Sequence, residues 1–191
     1  MGTCFPSPEG PNASFRRRLA RVETWLAIAS RRETRAYAQR PLPREDEARI
    51  LDAGRLAGSA SNRQPWRFVV VESPERREEL AGAVYAPGNV RGAALVVAVA
   101  VSGKGPLSFD AGRAAQNMLL AAWDQGVGGS PNGMPDPDEA ARILDLEEGE
   151  RPAIVLTFGY PARPRDVGRR TAEEWSARRD RWPLDELVRR V

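Results

Sequence analysis

The sequence predicts one α+β domain, and three observations point there. Apolar residues recur at helical spacing in several segments, and short valine-rich runs have the length of strands. The chain of 191 residues, 41% hydrophobic, can build one core, and its length and composition do not call for a second domain.

Residues 1–15 mix proline and glycine without periodicity, so a disordered arm is expected there, with the folded domain over 16–191. Leu19, Val22, Leu26 and Ala29 recur at helical spacing and predict a first helix over 15–30. A second helix starts at Pro43-Arg44-Glu45 and carries a stripe of Ala48, Leu51, Ala53 and Leu56 before Gly58 ends it. Residues 68–71 read as a buried strand and 74–82 as a charged surface helix. Residues 93–101, nearly all apolar with four valines, read as a central strand, and 102–109 as a short loop. Residues 110–125 have the length and apolarity of a helix buried on most sides. There Ala114, Ala115, Leu119, Ala121 and Ala122 would let another helix approach closely. An amphipathic helix over 136–146 and a strand over 153–158 follow, closed by Tyr160-Pro161. The tail from Arg163 onward is charged, yet Trp175, Trp182, Leu184, Leu187 and Val188 need burial, which suggests a segment that wraps a partner subunit.

Composition removes several kinds of chemistry. Cys4 is the only cysteine and there is no histidine, which excludes an internal disulfide, a multi-cysteine metal site and the usual serine hydrolase triad. Chemistry at neutral pH then leans on carboxylates or on a cofactor, and a flavin suits so sparse a set of side chains. No apolar run approaches a membrane span and the start lacks the apolar core of a signal peptide, so a cytoplasmic location without membrane contact is expected. Lys104 is the only lysine, and the arginines cluster in doublets and triplets while the net charge is only +3. Arginine's planar fork suits phosphate, but most of these side chains simply solvate a surface interleaved with acids.

Two segments concentrate polar side chains beside apolar runs. One is Ser59-Ala60-Ser61-Asn62-Arg63-Gln64-Pro65-Trp66, whose hydroxyls and amides can satisfy the edge of a polar heterocycle while Pro65 stiffens the exit. The other is Ser30-Arg31-Arg32-Glu33-Thr34-Arg35-Ala36-Tyr37. Together they resemble the nitroreductase family, in which an Arg-Arg-Ser-x-Arg-x-Phe segment precedes a Pro-Ser-x-x-Asn-x-Gln-Pro-Trp turn. Here Glu33 stands where the family usually has Ser, Gly58 where it has Pro and Tyr37 where it has Phe. Residues 110–122 look like the family's central helix and Val127 to Gly133 like the loop after it, so the resemblance runs from about residue 20 to the end.

What the resemblance implies is specific. The fold would be nitroreductase-like, a mainly antiparallel sheet flanked by helices in an intertwined homodimer, with FMN at the subunit interface. Arg31 and Arg32, with Arg179 and Arg181 near the other end of the chain, correspond to the family's phosphate ligands, and Glu33 sits among them. Ser59, Ser61, Asn62 and Gln64 would face the ring and ribityl chain from the other subunit. Pro131, Asn132 and Gly133 match the loop whose N–H groups meet the reactive edge. NADH or NADPH would reduce the flavin and a nitroarene, quinone or similar small acceptor would reoxidise it, with no catalytic side chain needed. The short 102–109 connection leaves little material for a lid, so an open pocket is expected. Oxidases, dehalogenating reductases and flavin-degrading enzymes share the resemblance and remain alternatives. A basic nucleic-acid-binding protein is a further one, disfavoured by the balanced charge and by the lack of aromatics among the basic clusters.

Overall fold

Seven consecutive apolar residues form β2 (Leu95–Val101), and all seven are buried. Alternation sorts them: Leu95, Val97, Val99 and Val101 enter one apolar cluster, and Val96 and Ala98 enter another on the opposite face. Both faces are covered, which is why this strand is apolar throughout. The computed structural model describes residues 23–191, so the expected arm over 1–15 and the first helix before Glu23 lie outside the described residues.

β2 pairs with β1 (Trp66–Val70) on one side and with β4 (Arg151–Gly159) on the other, and β3 (Gly128–Asn132) closes the far edge against β4. All three pairings are antiparallel, as the resemblance implies. β1 is an edge strand and only partly buried beyond Trp66, rather than the buried strand expected. β3 falls where a loop is expected. Its sequence, Gly-Gly-Ser-Pro-Asn, has no β-branched or aromatic residue, so pairing with β4 imposes the strand. Gly129 makes room for it: a Cβ there would lie 2.8 Å from both Leu119 and Phe158. Pro131 is tolerated because this is an edge.

α2 (Arg44–Arg55) and α5 (Leu107–Asp124) cover one face of the sheet. α3 (Pro74–Gly82), α4 (Pro87–Gly92) and α6 (Pro137–Ile143) cover the other. The buried stripe of α2 is Ile50 and Gly54, continued by Ala57, while Ala48 and Leu56 face solvent. The expected stripe is therefore rotated. Gly54 decides the rotation, because its missing side chain admits Phe68 and Met118, and a Cβ there would lie 2.9 Å from Phe68 Cζ. The small residues of α5 do receive another helix closely, but that helix is α2 of the same chain, tied by Asn117 Nδ2 donating to the Ala53 carbonyl at 3.2 Å. α5 begins at Leu107, which shortens the preceding loop to 102–106.

At the start of the described chain, α1 (Thr24–Ser30) is capped by the Glu23 carboxylate, which accepts from the N–H groups of Trp25 and Leu26. α7 (Ala172–Ala177) opens with a capping box formed by Thr171 and Glu174. It lays Trp175 and Ala172 against Ala29 of α1. Trp175 is thus buried in its own chain rather than held for a partner. Beyond it, Trp182 is 72% exposed, and Leu184 and Leu187 of α8 (Leu184–Leu187) are equally open.

Candidate active site

At the end of α1, residues near the start and near the end of the described chain meet. Arg32 Nη1 donates to the carbonyls of Ala29, Ser30 and Arg31 at 2.9 to 3.1 Å, and its guanidinium lies 5.5 Å from the Trp175 ring. Arg179 Nε donates to the Ala29 carbonyl at 3.0 Å and its Nη2 to those of Ile28 and Arg31. Two cations therefore satisfy carbonyls that a helix leaves orphaned at its C-terminus, where the helix dipole favours positive charge. The Arg32 guanidinium is held below the usual arginine range by burial and by the nearby charges of Arg179, Arg165, Arg181 and Arg31. Arg179 is lowered in the same way, by burial and then by Arg181 and Arg31. Like charges held this close ask for an anion.

Glu33 is the nearest one. Its Oε1 lies 2.9 Å from Arg31 Nη1, a nitrogen that is buried and makes no well-aligned hydrogen bond despite that proximity. The backbone here is pinned to the sheet edge: Glu33 bridges Gly129 in parallel, and Thr34 N donates to the Gly129 carbonyl at 3.0 Å. Pro131 is two residues further along β3, about 7 Å away at the rise of a strand. Because that bridge is parallel, Arg31 and Arg32 lie toward Gly128 and the last turn of α5, where Arg179 joins them, whereas Pro131, Asn132 and Gly133 lie in the opposite direction along β3. The Asn132 side chain faces the interior, accepting from Asn89 at 2.7 Å and donating to Ser130, Val155 and Thr157. The Asn132 backbone lies opposite Val155 and faces β4, while the outward-facing backbone of β3 is that of Gly129 and Pro131. Tyr37, which replaces the resembling family's Phe, places its hydroxyl 2.9 Å from Thr157 Oγ1. Burial raises this phenol to about 12, with the Glu33 charge adding to the rise.

The second polar segment is a strained turn. Ser61, Asn62 and Gln64 all have positive φ, at 52°, 53° and 48°. Each non-glycine residue in that region costs on the order of 1 to 3 kcal/mol, and such strain concentrates at functional sites. Ser59 Oγ holds the turn closed by accepting the Gln64 N–H at 2.8 Å, and Gln64 Nε2 reaches Asn62 Oδ1 at 3.3 Å. Asp110 supports it from below: its Oδ2 accepts the Ala60 N–H at 3.1 Å, while Oδ1 is buried without a partner. The side chains of Ser61, Asn62 and Gln64 face solvent.

Both polar segments are anchored to α5, but at opposite ends. Asp110 in its first turn holds the strained turn, whereas Trp123 in its last turn donates through Nε1 to Ser30 Oγ at 2.9 Å, beside the arginines. From Asp110 to Trp123 the helix rises about 20 Å. Sequence reasoning passed over Arg35, Arg163 and Arg165, which with Arg32 line a cavity of about 480 Å³ floored by Trp123 and Pro161. Arg35 stood in the quoted motif and could have been found there; Arg163 and Arg165 carry no distinguishing spacing. Asp110 was likewise legible only as the start of a helix.

The profile of the Nitroreductase family matches residues 28–105 and 107–160. The chain belongs to the nitroreductase family. A relative from Methanothermobacter thermautotrophicus, provisionally named NADH dehydrogenase/NAD(P)H nitroreductase, is 30% identical over 76% of this chain and 81% of its own length. One of the same provisional name from Archaeoglobus fulgidus is 33% identical over 73% of this chain and 86% of its own length. Among solved structures, a provisionally named nitroreductase from Desulfovibrio desulfuricans in complex with FMN superimposes with a TM-score of 0.73 at 30% identity, covering 87% of this chain and 95% of that one. A nitroreductase family protein from Clostridium difficile reaches 0.74 at 22% identity, over 87% of this chain and 97% of that one, and shares the fold.

The residues present fit the cofactor that nitroreductases of this fold imply. Mutually repelling guanidiniums, one with a buried nitrogen lacking an aligned acceptor, suit a phosphate dianion. Solvent-facing amides on a strained turn suit the hydrogen-bonding edge of the ring. One carboxylate, Glu33, works against the first of these.

Proposed function

We propose that the protein is a homodimeric FMN-dependent oxidoreductase that uses NADH or NADPH to reduce nitroaromatics, quinones or similar small acceptors by two-electron transfer. The observation that carries this reading is the separation of two polar halves by the length of α5. In a pair of chains, the arginines of one supply the phosphate end of a site whose ring edge is met by the strained turn of the other. The exposed Trp182, Leu184 and Leu187 then have a surface to cover.

When bound, FMN supplies the two-electron chemistry between nicotinamide and acceptor. The chain's own work is placement and charge. Arg31, Arg32, Arg179 and Arg181 anchor the phosphate by charge-assisted hydrogen bonds. Ser61, Asn62 and Gln64 fix the ring's orientation through groups already held in position by Ser59 and Asp110. Pro131, Asn132 and Gly133, at the end of the edge strand, meet the ring's reactive side.

Mass spectrometry of cofactor released from the purified yellow protein tests the reading, with FMN rather than FAD expected. Turnover with NADH and NADPH over a panel of nitroarenes and quinones then identifies the acceptor class. A protein that binds no flavin after reconstitution with excess FMN overturns it.

A further inference from the structure

We infer that Glu33 is an internal competitor for the phosphate site: its carboxylate neutralises Arg31 in the chain without ligand and sets how tightly, and with what phosphate preference, flavin is held. The inference rests on the FMN reading above. Three observations support it. Arg32 and Arg179 already spend their N–H groups on the carbonyls of Ile28, Ala29, Ser30 and Arg31, so their capacity for a further acceptor is reduced. Arg31 has no such duty, is mostly buried at 16% side-chain exposure, and meets Glu33 at 2.9 Å. The Glu33 and Thr34 backbone is bonded to Gly129 of the sheet edge, which keeps the carboxylate within reach of Arg31 while the Glu33 side chain, 34% exposed, stays free to rotate.

The consequence follows from charge. A phosphate dianion entering the cluster either displaces Glu33 from Arg31 or binds with a like charge a few ångströms away, and both options weaken binding. The influence of Glu33 also extends to Arg179, whose charged form it favours. A serine at this position, as in the resembling motif, would donate to phosphate instead of repelling it. FMN should therefore exchange readily in this protein, and riboflavin, which lacks the phosphate, should be disfavoured less than in a site of arginines alone.

The test is flavin affinity, read by fluorescence quenching as the apo protein is titrated with FMN and, separately, with riboflavin. Glu33→Gln and Glu33→Ser are compared with the native chain, the second variant covering failure of the first to fold. Each is expected to tighten FMN about tenfold, the scale of one like-charge contact in a half-exposed site, and to change riboflavin less than twofold. FMN affinity that is unchanged or weaker overturns the inference, and so does equal tightening for both flavins, which would mean that Glu33 acts on the ring or on assembly. A native protein that binds neither flavin overturns the FMN reading itself, and the inference with it.

Discussion

Asp110 accepts the Ala60 N–H through Oδ2 at 3.1 Å, so the first turn of α5 holds a turn in which three side-chain-bearing residues adopt left-handed backbone. A hydrogen bond to a charged acceptor contributes about 1.5 to 3 kcal/mol, comparable to the strain of one such residue. Asp110→Ala should lower unfolding stability by about 1 to 3 kcal/mol in urea and loosen flavin binding. Asp110→Asn, which keeps an acceptor, should lose less. An unchanged midpoint for the alanine variant would mean that the turn is shaped elsewhere.

The four arginines proposed to hold the phosphate should separate into two kinds. Arg181 donates only to the adjacent Asp180 carbonyl among its described contacts, whereas Arg179 reaches three carbonyls of α1. Arg181→Ala is expected to weaken FMN tenfold to a hundredfold, leaving riboflavin affinity and melting temperature nearly unchanged. Arg179→Ala should weaken FMN and also lower stability by about 1 to 3 kcal/mol. Differential scanning fluorimetry beside the titrations distinguishes them; equal thermal losses would show that Arg181 also supports the fold.

Tyr37 should make the protein sensitive to alkali. Its phenol titrates near 10 when unfolded and is raised to about 12 by burial in the folded chain. Between those values the folded state binds more protons than the unfolded one, so stability falls as pH rises. The contribution is fully present below pH 10 and is lost by pH 12, on the order of 2 to 3 kcal/mol. Tyr37→Phe should cost about 1 kcal/mol at pH 7 for the lost contact with Thr157, and should flatten the decline between pH 10 and 12. An identical alkaline profile would place the decline in other groups.

Removing residues 182–191 should weaken the proposed dimer while leaving Arg179 and Arg181 in place. Trp182, Leu184 and Leu187 are exposed in the single chain, and full burial of each would contribute about 1.5 to 3 kcal/mol. Light scattering over a dilution series should show dissociation at least a hundredfold earlier than for the full chain. A truncated chain that dimerises as well as the native one would assign the interface to other surfaces.

Legibility in the sequence followed periodicity and failed where pairing overrides propensity. β2 declared itself through an unbroken apolar run, and α5 through its length. β3 could not, since Gly128 and Gly129 are there for close approach to Thr34, Leu119 and Phe158 rather than for strand propensity. The stripe expected on α2 omits Ile50, which is fully buried, and Gly54, a buried glycine that no hydrophobic pattern marks. At the candidate site, motif order named the arginines and the amide turn. It could not show that Arg32 and Arg179 cap a helix, that the Asn132 side chain turns inward, or that Asp110 lies under the turn. Each depends on residues brought together from distant parts of the chain.

The cap on α1 bears on how the protein is made. A helix of seven residues is too short to persist alone, and one of its C-terminal caps, Arg179, comes almost 150 residues later in the chain. On the ribosome the sheet and α5 can form while α1 still frays, and α1 is secured only once Arg179 has emerged and can reach it. Nascent chains that stop short of Arg179 would carry a formed core beside a helix whose last carbonyls lack one of their donors.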